Sequence, residues 1–228
     1  MIKIILWDID DTLLDFHAAE REAIKKLFGQ FRLGECTDEM LARYSAINRS
    51  YWKRLELGEL TKPQVLIGRF RDFFESEGLD VGCAEAFNEA YQVCLGDTIV
   101  FRDDSYNIIN SLRGKVKQYA VSNGTIIAQT KKLRLSGLGE LMDGIFLSEQ
   151  LGVEKPNVEF FDKVFEAIGQ IDKSEIMIVG DSLSSDIKGG NNAGIRICWY
   201  NPAKVQATPE YRIDYEITDL HEIYDIIL

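Results

Sequence analysis

Three carboxylates stand within four positions near the start of the chain: Asp8, Asp10 and Asp11. Such groups repel one another and resist burial. The usual compensation is a bound hard cation, and clustered carboxylates suit Mg²⁺. Asp8 and Asp10 are two residues apart, so if the chain stays extended for one more step both side chains leave on the same side. The pair can then serve one reacting group, one as nucleophile and the other as acid or base. Taken alone, they also read as turn and helix-capping aspartates. Downstream, Ser122 and Asn123, Lys155, and Asp181 with Asp186 are the other polar residues that stand out, each with an equally ordinary reading as a turn, a solvated loop lysine or a helix cap.

What must position these residues is a series of short apolar runs. Ile4-Ile5-Leu6-Trp7 is too short to span a membrane and is rich in strand formers, so it predicts a buried strand that delivers Asp8 and Asp10 at its end. After about residue 101, strand-like and helix-like segments alternate. The pattern predicts strands over 116–121, 144–147, 176–179, 195–199 and 215–217, with helices between and after them. That alternation predicts an α/β fold, a doubly wound parallel sheet with helices on both faces. In such sheets the ligand site lies beyond the carboxyl ends of the strands. The singled-out residues follow four different strands at that one edge, an improbable coincidence for turns and caps.

Residues 15–98 break the pattern. Apolar residues recur there at helical spacing, with helices predicted over 16–31, from Thr37 to about Trp52, from a Thr61-Lys62-Pro63-Gln64 capping box to Gly78, and over 84–95. The block reads as a separate helical bundle inserted between residues 1–14 and 99–228, with Tyr44, Trp52 and the phenylalanines as its core.

The chain has 228 residues, 46% of them apolar, enough to bury one large core or two modest ones. Its net charge of −11, with no compensating basic run, argues against a nucleic-acid polymer or an anionic membrane as partner. An anionic small molecule is compatible, because a metal and a few local cations reverse the field inside a pocket. The four cysteines form no CxxC pair. Without an apolar leader, the expectation is a cytoplasmic protein with reduced thiols, and a monomer.

The order D-x-D-x-T-L (Asp8 to Leu13), S-N-G (Ser122 to Gly124), K-P (Lys155, Pro156) and G-D-S-x-x-x-D (Gly180 to Asp186) resembles the four motifs of the haloacid dehalogenase-like phosphohydrolases, over the whole chain. The resemblance implies a Rossmann-like core with a helical C1 cap at residues 15–98. Its finer likeness is to the pyrimidine 5′-nucleotidase branch, carried by Asn48-x-x-x-Trp52, by the run from Gly180 to Gly194 and by Cys198-Trp199-Tyr200-Asn201-Pro202. The chain departs from that branch at Thr125, where an aromatic often follows the N-G turn, and at Asp103-Asp104, which replaces a common Pro-Gly.

What the resemblance implies is a Mg²⁺-dependent phosphomonoesterase. Asp8 is its nucleophile and Asp10 its acid and base. Mg²⁺ is held by Asp8, by the main-chain carbonyl of Asp10 and by Asp181. Lys155 offsets the charge of Asp8 and the phosphoryl group, Ser122 and the main chain of Asn123 bind phosphoryl oxygens, and Asp186 orients Lys155. Asp11 and Thr12 read as loop-shaping. In the cap, Asn48 and Trp52 lie four apart and share a helix face that could bind a planar base, or could equally pack inside the bundle. Rival readings are a phosphatase or phosphomutase acting on sugar phosphates, a haloacid dehalogenase, which needs neither Asp10 nor Asp181, and a non-enzymatic scaffold.

Overall fold

The computed structural model describes residues 1–169 and 172–227. The chain forms two compact units, Met1–Phe16 with Ile99–Leu228, and His17–Thr98.

The first unit is built on a parallel sheet. Its strands are β1 (Ile4–Trp7), β2 (Lys117–Ser122), β3 (Gly144–Leu147), β4 (Ile176–Gly180), β5 (Arg196–Tyr200) and β6 (Tyr215–Ile217), in the order β3-β2-β1-β4-β5-β6. All pairings are parallel, as the alternation predicted. β1 is fully buried between β2 and β4, with Trp7 opposite Ala120 on one side and Val179 on the other. Burial on both faces explains why its sequence is a continuous apolar run.

The strand pleat divides the core in two. Ile5 and Trp7 of β1, Met177 and Val179 of β4, and Cys198 and Tyr200 of β5 point into one cluster, completed by Ile108, Ile109, Leu112 and Leu133 from helices. Ile4 and Leu6, Ile176 and Ile178, and Ile197 and Trp199 point into the other, beside Phe160, Phe161 and Val164. Helices therefore cover both faces. In chain order the helices are α1 (Phe16–Phe31), α2 (Asp38–Glu56), α3 (Lys62–Ser76), α4 (Ala84–Leu95), α5 (Ser105–Leu112), α6 (Ile126–Ser136), α7 (Ser148–Leu151), α8 (Val158–Ile168), α9 (Lys188–Ala193) and α10 (Ile223–Ile227). The sequence pattern did not reveal α7, which is a single turn ended by Gly152 in the left-handed region. Strands β2 and β5 each lie one residue later than their apolar runs predict, because the ladder continues onto Ser122 and Tyr200.

The second unit holds α1 to α4. Thr37 caps α2 through the Met40 N–H, and the Thr61 N–H bonds Gln64 Oε1 at 2.8 Å in the predicted capping box. Its core is aromatic. Tyr44 stacks on Phe70 at 5.0 Å between ring centres, and Phe74 meets Phe87 edge-on at 5.0 Å. A polar chain crosses this core. Glu20 accepts from Ser45 and from Asn48 Nδ2, Arg69 Nη1 donates to Asn48 Oδ1 at 2.7 Å, and Arg69 Nη2 donates to Asn88 Oδ1 at 3.2 Å.

Candidate active site

The loops after β1, β2 and β4 meet at the carboxyl edge where β1 is flanked on both sides. This is the crevice that the strand order marks as a ligand site. Asp8 enters it directly from β1, its N–H still bonded to Val179 O at 2.9 Å. Lys155 Nζ donates to Asp8 Oδ1 at 2.8 Å, to Asp186 Oδ1 at 2.6 Å and to Val121 O at 2.9 Å. All three ammonium protons are thereby engaged on a side chain only 1% exposed.

The position of Lys155 is set by its backbone. Asn123 Oδ1 accepts from the Lys155 N–H at 2.9 Å, and Asn123 Nδ2 donates to the Lys155 carbonyl at 2.9 Å. With its amide so engaged, Asn123 has its main chain to offer a ligand. Ser122 is buried at the end of β2, and its Oγ accepts from the Gly124 N–H at 3.0 Å.

Asp186 is fixed from both ends. Its Oδ1 takes Lys155, and its Oδ2 accepts from the Ser182 N–H at 3.1 Å at the start of the wide helical turn Leu183–Ile187. Gly180 is required here, since a β-carbon would collide with the Asp186 carboxylate.

Thr12 corrects the reading of that residue as merely loop-shaping. It is fully buried, and its Oγ1 lies 3.0 Å from Asp8 Oδ2 and 3.3 Å from Asp181 Oδ1, tying the two carboxylates together. Asp11 does shape the loop: it adopts φ 63° and accepts from the Phe16 N–H and from Arg102. Sequence reasoning also missed two residues of α6. Gln129 Nε2 donates to Asp10 Oδ2 and Lys132 Nζ to Asp10 Oδ1, both at 2.5 Å. Their three-residue spacing on the helix that opens just after Ser122-Asn123-Gly124 is the signal that could have found them.

Oxygens of Asp8, Asp181 and Asp186 lie within 4.8 Å of one another. Burial pushes the Asp8 carboxyl up to about 7, the Asp186 charge adds to the push, and Lys155 offsets only part of it. Asp181 is raised well above the ordinary carboxylate range, first by burial and then by the charges of Asp8 and Asp186. Burial opposes the charge of Lys155 too, but Asp186 and Asp8 hold its ammonium above the ordinary lysine range. Two carboxylates driven toward their neutral forms, with one cation already fully engaged, form an all-oxygen site that a hard divalent cation would relieve. Asp186 is the member of the three whose oxygens are held by Lys155 and by the Ser182 N–H, whereas Asp8 and Asp181 share the Thr12 hydroxyl.

In the helical unit, Asn48 is 4% exposed and both of its amide atoms are bonded inside the bundle, to Glu20 and Arg69. Trp52 is half-buried, with the Arg69 guanidinium 6.0 Å from its ring centre.

Residues 2–194 match the family model for haloacid dehalogenase-like hydrolases. The chain belongs to the haloacid dehalogenase-like hydrolases. All four motifs of the site fall inside that match. Among relatives of this family, the HAD-hydrolase YfnB of Bacillus subtilis is 37% identical over 99% of this chain and 95% of its own. The crystal structure of YfnB bound to magnesium superposes with a TM-score of 0.92 at 36% identity, covering 99% of this chain and 98% of that one. The pyrimidine 5′-nucleotidase PynA of Streptococcus pneumoniae is 32% identical over 99% of this chain and 94% of its own. The pyrimidine 5′-nucleotidase YjjG of Escherichia coli is 29% identical over 98% and 96%. Among the described residues, no helix of this hydrolase is long and apolar enough to cross a membrane.

Proposed function

We propose that this hydrolase is a Mg²⁺-dependent phosphatase of small phosphate monoesters, working through an aspartyl-phosphate on Asp8, with pyrimidine nucleoside 5′-monophosphates as its substrates. The observation that carries the reading is the setting of Asp8. One oxygen is held by Lys155 and the other by Thr12, with the acidic Asp181 sharing the same hydroxyl.

In the first half-reaction an Asp8 oxygen attacks phosphorus, the ester P–O bond breaks and Asp10 gives its proton to the departing alkoxide. In the second, water attacks the same phosphorus, Asp10 takes a proton from it, and the acyl-phosphate bond breaks to return the Asp8 carboxylate and inorganic phosphate. Ser122 and the main chain of Asn123 bind the phosphoryl oxygens as they gain charge, and Lys155 keeps the buried carboxylates and the incoming dianion from repelling one another. Asp8, Asp181 and the main-chain carbonyl of Asp10 would hold Mg²⁺, which when bound supplies further positive charge to the same oxygens. The magnesium in the YfnB crystal structure supports that choice of ion. A dehalogenase has no use for Asp10 and Asp181, so their presence favours the phosphatase.

Substrate choice we assign to the helical unit, acting as a cap. There Trp52 offers a ring face, and Asn48 stands behind it in the chain of bonds through Arg69. The two nucleotidase relatives, similar over nearly the whole chain, support nucleotides over sugar phosphates. The test is a side-by-side assay in Mg²⁺. UMP, dUMP and dTMP are expected to give higher kcat/KM than AMP, glucose 6-phosphate or phosphoglycolate. A tenfold preference for a sugar phosphate would overturn the nucleotidase reading and leave the phosphatase standing.

A further inference from the structure

Asp10 is bracketed by residues outside the four motifs. Lys132 Nζ meets Asp10 Oδ1 and Gln129 Nε2 meets Asp10 Oδ2, so each oxygen of this carboxylate takes one donor from α6. The Lys132 side chain is 2% exposed, far more buried than the Asp10 side chain it pairs with, at 25%. On its other side, the Lys132 ammonium lies 5.1 Å from the centre of the Phe16 ring. Gln129 is 1% exposed, and it reaches Asp10 because position 124 is glycine: a β-carbon there would collide with its amide. Four segments, the loops after β1 and β2, the start of α1 and the body of α6, are thus shaped around one carboxylate.

Burying the Lys132 ammonium costs desolvation that pairing with a carboxylate still 25% exposed to water returns only in part, so the ion pair is weak evidence for fold stability. The arrangement therefore gains little as a source of fold stability. It does fix the Asp10 rotamer. A carboxylate oxygen has two lone-pair sites, so each Asp10 oxygen keeps one for proton transfer while its other is held.

We propose that Lys132 and Gln129 are positioning residues that aim the Asp10 carboxylate for proton transfer. The proposal rests on the phosphatase reading, in which Asp10 handles protons. Neither residue touches the phosphoryl group; both act through Asp10.

The test uses the full chain in Mg²⁺, with UMP and p-nitrophenyl phosphate as substrates. Lys132→Met is expected to lower kcat about tenfold or more while KM stays within about threefold, part of the general acid–base contribution. Lys132→Arg should recover part of the loss. The decisive comparison is with Asp10→Asn. If Lys132 acts through Asp10, the double variant is no slower than Asp10→Asn alone, whereas an independent or merely structural role multiplies the two losses. Gln129→Leu, of similar volume, should show the same dependence on Asp10, and it carries the test if Lys132→Met does not fold. An unchanged kcat, or losses that multiply, overturns the proposal. An inactive wild type overturns the phosphatase reading and the proposal with it, whereas an active wild type with indifferent α6 variants overturns the proposal alone.

Discussion

Lys155 Nζ lies 2.8 Å from Asp8 Oδ1 across 147 residues of sequence. The same ammonium bonds Asp186 and the end of β2, so one cation ties together the outputs of three strands. Lys155→Met keeps the length and removes the charge. Turnover is expected to fall at least roughly a hundredfold, the scale of deleting one preorganised electrostatic partner. Two buried carboxylates would also lose their counter-charge, so the variant should melt lower than wild type. Steady-state kinetics beside a thermal melt check both; a change under about fivefold in turnover would mean that the ammonium is not part of the chemistry.

Asp8→Asn should abolish turnover and leave the fold in place. Asp8 is already pushed up to about 7 by its buried setting, so an amide of the same shape removes a strained charge. Circular dichroism should match wild type and the melting temperature should stay within about 5 °C. Residual phosphatase activity would put the nucleophile elsewhere.

Thr12→Val deletes the hydroxyl that joins Asp8 and Asp181 and keeps the side-chain volume. One hydrogen bond to a charged group contributes about 1.5 kcal/mol or more, so the Mg²⁺ concentration for half-maximal activity should rise roughly tenfold. A titration of activity against Mg²⁺ reads this directly, and an unshifted curve would return Thr12 to a loop-shaping role.

Magnesium should stabilise the folded chain. At a hundred times its dissociation constant a ligand adds about 2.7 kcal/mol, which corresponds to a rise of roughly 5 °C or more in the melting temperature. EDTA should reverse the shift, and Asp181→Asn should remove most of it. A melt insensitive to Mg²⁺ in the wild type would sink the metal assignment.

Asn48→Ala separates two roles for that residue. Its amide bridges Glu20 and Arg69 inside the bundle, so the substitution leaves both with a lost partner, at a cost of about 1–3 kcal/mol. The expected outcome is a lower melting temperature. A KM effect without loss of stability would instead mean that Asn48 meets the substrate itself.

The sheet and its polar edge were legible because strand ends are written in a simple code. An apolar run such as Ile4–Trp7 halts at a polar residue, and in a parallel sheet every such halt falls on the same side. What escaped was polar residues whose burial depends on distant partners. Lys132 sits on a helix where lysines are ordinarily solvated, and nothing local shows that Asp10, 122 residues earlier, turns toward it. Thr12 looked like one more turn residue because its second partner, Asp181, is 169 residues away. Asn48 and Trp52 lie four apart on α2, yet helix geometry is silent on what their face meets, and Glu20 and Arg69 are 28 and 21 residues from Asn48.

The place of β1 also dictates an order of assembly. It is made before the strands it pairs with, so one of its edges waits for β2 at residue 117 and the other for β4 at residue 176. Until β4 is made, this wholly apolar strand has an unpaired edge, a template for pairing with other nascent chains. The helical block at 17–98 forms a compact unit of its own, and all of its residues are made long before residue 155 can supply Asp8 with its lysine.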